Sequence, residues 1–224
     1  VEQEAFKPFF EKLKEEVLTS KVLSEAAAKV MQKYAKNGNT TIVSTGLTIN
    51  DDKPLILLEH LSNKSPTLLG SMLEKVGQLP ERRPSPRHFL YMRHDMPHLL
   101  PKSRAKQNDF YDIIGVKHWY DGSPYIGSMF MEEPYEATQL TMEKLDIPPN
   151  SKGKALINKK ALQSFIRNHH AQGWQIAIHT QGDAAIKEVI LAYNELSAEL
   201  DYSQSRHRLE HCLMLPLSEL NLIK

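Results

Sequence analysis

The clearest pattern of hydrophobic and polar positions lies in the second half of the chain, where helical and strand periods alternate. An apolar stripe at helical spacing begins after Asn158 and ends at Gly173, and a second stripe covers Ala184–Leu200. Between them, Trp174–Thr180 alternates with the period of a strand, and His207–Cys212 has the character of the next strand. Strands that alternate with helices predict a parallel α/β architecture.

The first half of the chain shows the same alternation with shorter elements. Helical spacing or an apolar run after a proline predicts helices at Phe6–Leu18, Ser24–Tyr34, Pro54–Leu61 and Pro66–Val76. Runs of β-branched or apolar residues predict strands at Thr40–Ser44, Arg87–Met92 and Ile113–Trp119. With the two later strands this makes five, whereas a closed β/α barrel needs eight.

The strand in WQIAIHTQGD carries bulky apolar residues on one face and small or polar residues on the other. The two sets are Trp174, Ile176 and Ile178, and Gln175, Ala177 and His179. This arrangement suits a barrel strand whose outer face packs on helices, so the predicted fold class is α/β, a TIM-type (β/α)8 barrel that is incomplete here. A single domain covers residues 1–224. His179 then stands at the strand tip, and Asp183 is predicted to cap the next helix.

Composition excludes several classes of function. Hydrophobic residues make up 41% and charged residues 25%, which is typical of a soluble globular protein. The net charge of +1 gives no reason to expect nucleic acid or a membrane as partner, and no apolar run approaches the length of a membrane span. The single cysteine, Cys212, excludes an internal disulfide and fits a reducing compartment, so we expect a cytoplasmic protein.

Three polar residues recur at comparable strand tips: Lys117, His179 and His211. In a β/α barrel such tips converge on one mouth, and two imidazoles with oxygen ligands would suit an ion such as Zn²⁺. Spacing alone leaves the alternative open. A strand histidine is more often a hydrogen-bonded core residue, and Lys117 by itself is more often solvated or salt-bridged.

Several sequence motifs resemble those of a known family. They are NGNTTIV (37–43), GVKHWYDGS (115–123), PY (134–135), GWQIAIHTQGDAAI (173–186) and RHRLEH (206–211). In content, order and separation they resemble the amidohydrolase superfamily of metal-dependent hydrolases, in particular its amidohydrolase-3, YtcJ-like group. The two later words are the most specific.

This resemblance implies a hydrolase of carbon–nitrogen, amide-like bonds in small-molecule substrates, acting through a metal-activated water. His179 and His211 would be metal ligands from the fifth and sixth barrel strands, and Lys117 a carboxylated ligand from the fourth. The cofactor would be one or two divalent ions, expected to be Zn²⁺. Asp121 and Asp183 would serve catalysis by shaping the mouth or contacting substrate, with a turn or N-cap role as the structural alternative.

The sequence also departs from the family pattern. The His-x-His pair of the family's first strand does not occur here, and the nearest candidates are His94 with His98 and the pair His169-His170. The aspartate of the eighth strand has no counterpart either, because the chain ends at Lys224. We therefore expect an internal fragment, about strands 2 to 6, that is inactive alone and holds metal weakly or not at all. Its unpaired sheet edges predict homodimerisation or poor solubility.

Two other functions stay open at this point. The chain could be a non-catalytic shortened barrel that binds a small molecule or a protein partner. A metal-free α/β enzyme would need a nucleophile, but no G-x-S-x-G occurs and Cys212 is predicted to face away from His211 as a buried thiol. Glu210 is likewise predicted to point away from His211, in an outer salt bridge. The long segment 121–151 suggests a functional loop but names no substrate.

Overall fold

A computed structural model describes residues 6, 8–9, 11–13, 19–47, 49, 51–101 and 108–223. Its strands are β1 (Thr41–Thr45), β2 (Arg87–Arg93), β3 (Tyr111–Trp119), β4 (Gln175–Thr180) and β5 (Arg208–His211). Its α-helices are α1 (Ser20–Lys36), α2 (Lys53–Ser62), α3 (Leu68–Lys75), α4 (Lys159–Ala171) and α5 (Asp183–Leu196). Shorter helical turns cover Pro97–Leu99, Pro124–Ile126, Leu140–Lys144 and Leu217–Leu222.

The strands form one sheet in the order β1-β2-β3-β4-β5, which is also their order along the chain. The pairs β1–β2, β3–β4 and β4–β5 are parallel. α-Helices lie in the connections β1–β2, β3–β4 and β4–β5, as parallel pairing requires, and the described part of the β2–β3 connection contains the short turn Pro97–Leu99. This confirms the predicted α/β class and its five strands, and it is consistent with part of a TIM-type barrel.

Predicted and observed elements agree to within four residues at each end wherever the structure describes them. The first predicted helix, Phe6–Leu18, lies largely outside the described residues, although its described positions 6, 8–9 and 11–13 are helical. The predicted start of α4 is confirmed, because the Asn158 side chain accepts a hydrogen bond from the backbone N–H of Ala161.

The predicted cap of α5 is wrong by one residue. Gly182 occupies the N-cap, with an extended backbone at φ −75° and ψ 154°, and Asp183 is the first helical residue. A carboxylate in the first turn still favours the helix, because it faces the positive end of the helix dipole. The cap position instead requires a residue without a side chain, for a reason given below.

The described residues form two compact units, and the boundary between them passes through β2 and β3. The first comprises the described residues of Val1–Tyr91, His98–Leu100 and Ala105–Ile114, and the second those of Met92–Pro97, Pro101–Arg104 and Gly115–Lys224. The core of the first unit packs Ala28 and Met31 of α1 against Leu61 of α2. A single domain over 1–224 stays a prediction.

The core of the second unit lies where β4 packs on the two helices that flank it. Ile176 and Ile178 are fully buried there, together with Leu162, Ile166, Ala185, Val189, Ala192 and Leu196. The bulky residues of β4 therefore face α4 and α5, as the alternation predicted, and the opposite face of the strand is free to carry polar groups. No helix in the described part of the chain has both the length and the apolar character to cross a membrane.

Candidate functional site

Strand register places polar residues of three strands on one face of the sheet in the second unit. Lys117 of β3 is aligned with Ala177 of β4, and His179 of β4 is aligned with Glu210 of β5. Aligned residues of parallel strands point to the same side, and so do residues two positions apart. Lys117, His179 and Glu210 therefore share one face, which we call the polar face. The sequence did not predict Glu210 on this face, because it was placed only by its alternation with His211, in an outer salt bridge.

Lys117 and Glu210 form an ion pair on the polar face. The lysine side chain is 2% exposed and the glutamate side chain 13%, so both charges are largely withdrawn from water. The pair joins β3 to β5 across β4, on the face where β4 carries the small, buried residue Ala177. Arg208 also binds Glu210, with Nη2 2.5 Å from Oε1.

The two cations keep Glu210 ionised. Burial would raise the pKa of this carboxyl, but the hydrogen bond and charge of Lys117 and the charge of Arg208 hold it below the usual value. The amine of Lys117 is then the ammonium partner of a carboxylate. An ammonium has no lone pair, so in this arrangement Lys117 is a counter-ion and could ligate metal only after carboxylation.

His179 lies at the end of β4 and is only 8% exposed. Its Nε2 is 3.0 Å from the carbonyl oxygen of Gly122. A carbonyl can only accept, so Nε2 carries the proton and the lone pair of the neutral ring lies on Nδ1. Burial lowers the pKa of His179 to about 4, and the imidazole is therefore neutral at pH 7. A neutral ring with a fixed tautomer is the form that binds a metal ion.

His211 reaches His179 from the end of β5. Its register partner is Thr180, so strict alternation would direct its side chain away from the polar face. The backbone leaves the strand here with a left-handed φ of 74°, and the two imidazole rings meet edge to face with centroids 4.5 Å apart. Burial lowers the pKa of His211 as well. The two predicted ligands are thus neighbours.

Asp121 and Asp183 bind backbone N–H groups. Asp121 is 1% exposed and accepts hydrogen bonds from the amides of Phe130, Gln181 and Gly182 at 2.9–3.0 Å. Burial raises the pKa of Asp121, and these donors oppose that shift. Asp183 accepts from Glu132 at 2.9 Å and from Ala184 at 2.8 Å. Both carboxylates are therefore occupied, and a catalytic role for either stays a prediction.

The remaining histidine candidates lie elsewhere. His94 and His118 meet with ring centroids 4.0 Å apart, and His118 alternates with Lys117 along β3, on the face opposite the polar face. His169 lies in α4 next to Phe165. Within the described ranges, no three His, Cys, Asp or Glu side chains come close enough together to hold a metal ion. The structure thus brings together two of the predicted ligands, with Lys117 engaged by Glu210.

Comparisons with known proteins concern the family and the fold. The sequence profile of the amidohydrolase family matches residues 1–224. Two crystal structures share the fold, both described as uncharacterized metal-dependent hydrolases. The one from Pyrococcus horikoshii has a TM-score of 0.62 at 19% identity, over 94% of this chain and 36% of that chain. The one from Pyrococcus furiosus has a TM-score of 0.63 at 20% identity, over 98% of this chain and 39% of that chain.

Two further facts come from the same comparisons. The chain spans less than two fifths of the length of either solved structure. No curated protein matches the sequence significantly.

Proposed function

This chain belongs to the amidohydrolase family, and from that premise we propose that it carries part of the active site of a metal-dependent hydrolase that cleaves carbon–nitrogen bonds of amide-like small molecules. The observation that carries the proposal is the meeting of His179 and His211, whose rings lie 4.5 Å apart at the ends of adjacent parallel strands. Strand ends on one side of a β/α sheet are where that fold assembles its active sites.

The donor set fits two positions of a metal centre. His179 presents a neutral ring with its proton fixed on Nε2 by Gly122, and His211 lies against that ring. Imidazole nitrogens of this kind suit a divalent ion, and Zn²⁺ is our proposed cofactor. Lys117 would become a third ligand only by carboxylation, which would require it to leave its ion pair with Glu210.

The chemistry follows from what each group can do. A bound divalent ion would lower the pKa of a water molecule toward neutrality and polarise the carbonyl of the substrate. His179 and His211 bind as neutral ligands, which burial favours. The carbonyl of Gly122 holds the proton of His179 on Nε2, so that the lone pair of the ring stays on Nδ1. The Lys117–Glu210 pair links β3 to β5 on the polar face.

Metal binding tests the ligand assignment. We expect metal-free protein titrated with Zn²⁺ in a calorimeter to bind it weakly, because two imidazoles make only part of a site. H179A and H211A should each abolish that binding, while H98A, at an exposed histidine outside the second unit, should leave it unchanged. Binding that survives the H179A/H211A double substitution overturns the assignment, and if no binding is detected at millimolar Zn²⁺ the amide assay on H179A decides it.

Bond specificity needs a separate assay. The product of the complete reading frame is offered paired amides and esters with the same acyl group. We expect amide hydrolysis that chelators remove and Zn²⁺ restores, and that H179A loses. Hydrolysis of the esters alone would contradict a carbon–nitrogen hydrolase.

A second candidate is binding without turnover, as a shortened relative that holds a small molecule or a protein partner. The ion pair between Lys117 and Glu210 favours this candidate, because an ammonium group paired with a carboxylate cannot ligate a metal ion. Retention of a small-molecule ligand by metal-free protein, with no hydrolysis in the amide assay, would favour this candidate.

A further inference from the structure

The carboxylate of Asp121 joins three separate parts of the second unit. Asp121 follows the end of β3, and it accepts the amides of Gln181 and Gly182 in the turn after β4 at 3.0 and 2.9 Å. It also accepts the amide of Phe130 at 3.0 Å. Phe130 belongs to residues 128–132, a segment that we call the strap. One buried side chain thus fixes the turn and the strap to the end of β3.

His179 lies between these contacts. Its Nε2 is 3.7 Å from Oδ1 of Asp121 and 3.0 Å from the carbonyl oxygen of Gly122, the next residue along the chain. The negative charge of the carboxylate favours a proton on the nitrogen that faces it, and the carbonyl accepts that proton. The same two residues thus set the direction and the tautomer of the ring.

We propose that Asp121 is a positioning residue, whose buried carboxylate binds the turn after β4 and the strap and thereby holds the imidazole of His179 with its proton on Nε2. The metal-related part of this inference rests on the proposed function. The part that concerns the ring and the strap does not.

The strap has a second set of contacts that supports this arrangement. Asp183 accepts the amide of Glu132 at 2.9 Å, and Lys187 forms an ion pair with the Glu132 side chain at 2.6 Å. A Cβ atom at Gly182 would overlap the carbonyl oxygen of Phe130, so only glycine admits the strap this close to the turn. Both aspartates of the predicted site therefore bind the strap, at Phe130 and at Glu132.

An aspartate suits position 121 better than an asparagine. Three N–H groups approach its two oxygens, so both oxygens must accept. An asparagine would present an NH₂ group to at least one of those amides, and donor would face donor. The D121N substitution is nearly equal in size, and it therefore removes the acceptor and the charge with little change in volume.

The tautomer of His179 is measured first, in the unaltered chain. Long-range ¹H–¹⁵N spectra of the ring should report the proton on Nε2, and a proton on Nδ1 overturns the proposal. Hydrogen exchange at the amides of Gln181, Gly182 and Phe130 should be slow, and fast exchange at all three overturns it equally. Both measurements keep the proposal testable if D121N does not fold.

The D121N variant is measured next, with Zn²⁺ alone as the probe. We expect His179 to populate both tautomers and Zn²⁺ affinity to fall by about 10–100-fold, as for lost hydrogen-bond support of a metal ligand. D201N is the control, because Asp201 is exposed and binds the amide of Ser203. A folded D121N with an unchanged tautomer and affinity overturns the proposal. If the unaltered chain fails to bind Zn²⁺, the tautomer and exchange data alone decide the positioning role, and the proposed function is decided separately by the amide assay.

Discussion

The ends of β4 and β5 hold the same kind of residue in two different ways. At the end of β4, His179 is 8% exposed and is fixed by Gly122 and Asp121, which belong to another strand connection. At the end of β5, His211 is exposed and its backbone is left-handed at φ 74°, as is that of Cys212 at 47°. One imidazole is held by a backbone carbonyl and a carboxylate from the segment after β3, and the other is placed by the local path of its own backbone.

Preorganisation of the proposed site therefore lies mainly at the end of β4. A side chain held by a buried hydrogen bond keeps its direction without metal, so the proposed ligand His179 is fixed in advance. A ligand held by a left-handed backbone depends on conformations that residues other than glycine adopt at a cost. We therefore expect mutations around His179 to change the site more than mutations around His211, except at Glu210, the last strongly bound residue of β5.

The largest effect should come from removing Glu210. E210L leaves the Lys117 ammonium buried without a carboxylate, and we expect a loss of about 3–5 kcal/mol in the free energy of unfolding, measured with denaturant. The double variant K117M/E210L should recover most of that loss, because no charge is left buried.

E199Q is the matched control for E210L. It breaks the ion pair of Glu199 with Arg167, whose side chains are 53% and 42% exposed, and it should cost less than about 1 kcal/mol. Equal losses in E210L and E199Q would show that the buried pair does not anchor β5.

A smaller effect is expected at the end of β4, from G182A. The added methyl group meets the carbonyl oxygen of Phe130, and the strap must move away, at a cost of about 1–3 kcal/mol. Hydrogen exchange at the amides of Phe130 and Glu132 should become faster. G38A is the control for strain without a clash: it forces alanine into a left-handed backbone at φ 84° in the first unit, where a Cβ would meet nothing within 4 Å, and it should leave the exchange of the strap unchanged. Unaltered exchange in G182A would mean that the strap is not held by close approach.

The smallest effect is expected at the end of β5, from C212G. Glycine removes about 1–2 kcal/mol of backbone strain at this left-handed position. The greater conformational freedom of glycine in the unfolded chain costs about 0.5–1 kcal/mol. The net change should stay within about 1 kcal/mol of the unaltered chain in denaturant unfolding. A loss above about 2 kcal/mol would show that the thiol, which lies 3.7 Å from the Thr180 hydroxyl, matters more than the backbone.

Sequence alone predicted the elements because their periods are strong. The alternation of Ile176 and Ile178 with Ala177 and His179 identified β4, its core face and its polar face, and the core contacts confirm it. The parallel α/β class followed from the alternation of strands with helices. The family resemblance supplied roles for Lys117, His179 and His211, and those roles stay predictions.

Three features of the site could not be read from the sequence. The place of Glu210 on the polar face depends on the register between β4 and β5, which local periodicity does not fix. The contact of Asp183 with Glu132 joins positions 51 residues apart, and no local sequence pattern predicts it. The left-handed turn at His211 is taken by a residue type that rarely adopts it, so there is no glycine to signal it.

Ala177 is buried on β4, between the strands that carry Lys117 and Glu210 and on the same face of the sheet, so its size bears on how this protein can change over evolutionary time. A larger side chain at that position would fill the space that the two long side chains use to reach one another across β4. We therefore expect positions 117, 177 and 210 to vary together among related sequences. Where either charged residue is replaced, a larger residue can stand at position 177. Where position 177 is large, the ion pair between 117 and 210 should be absent.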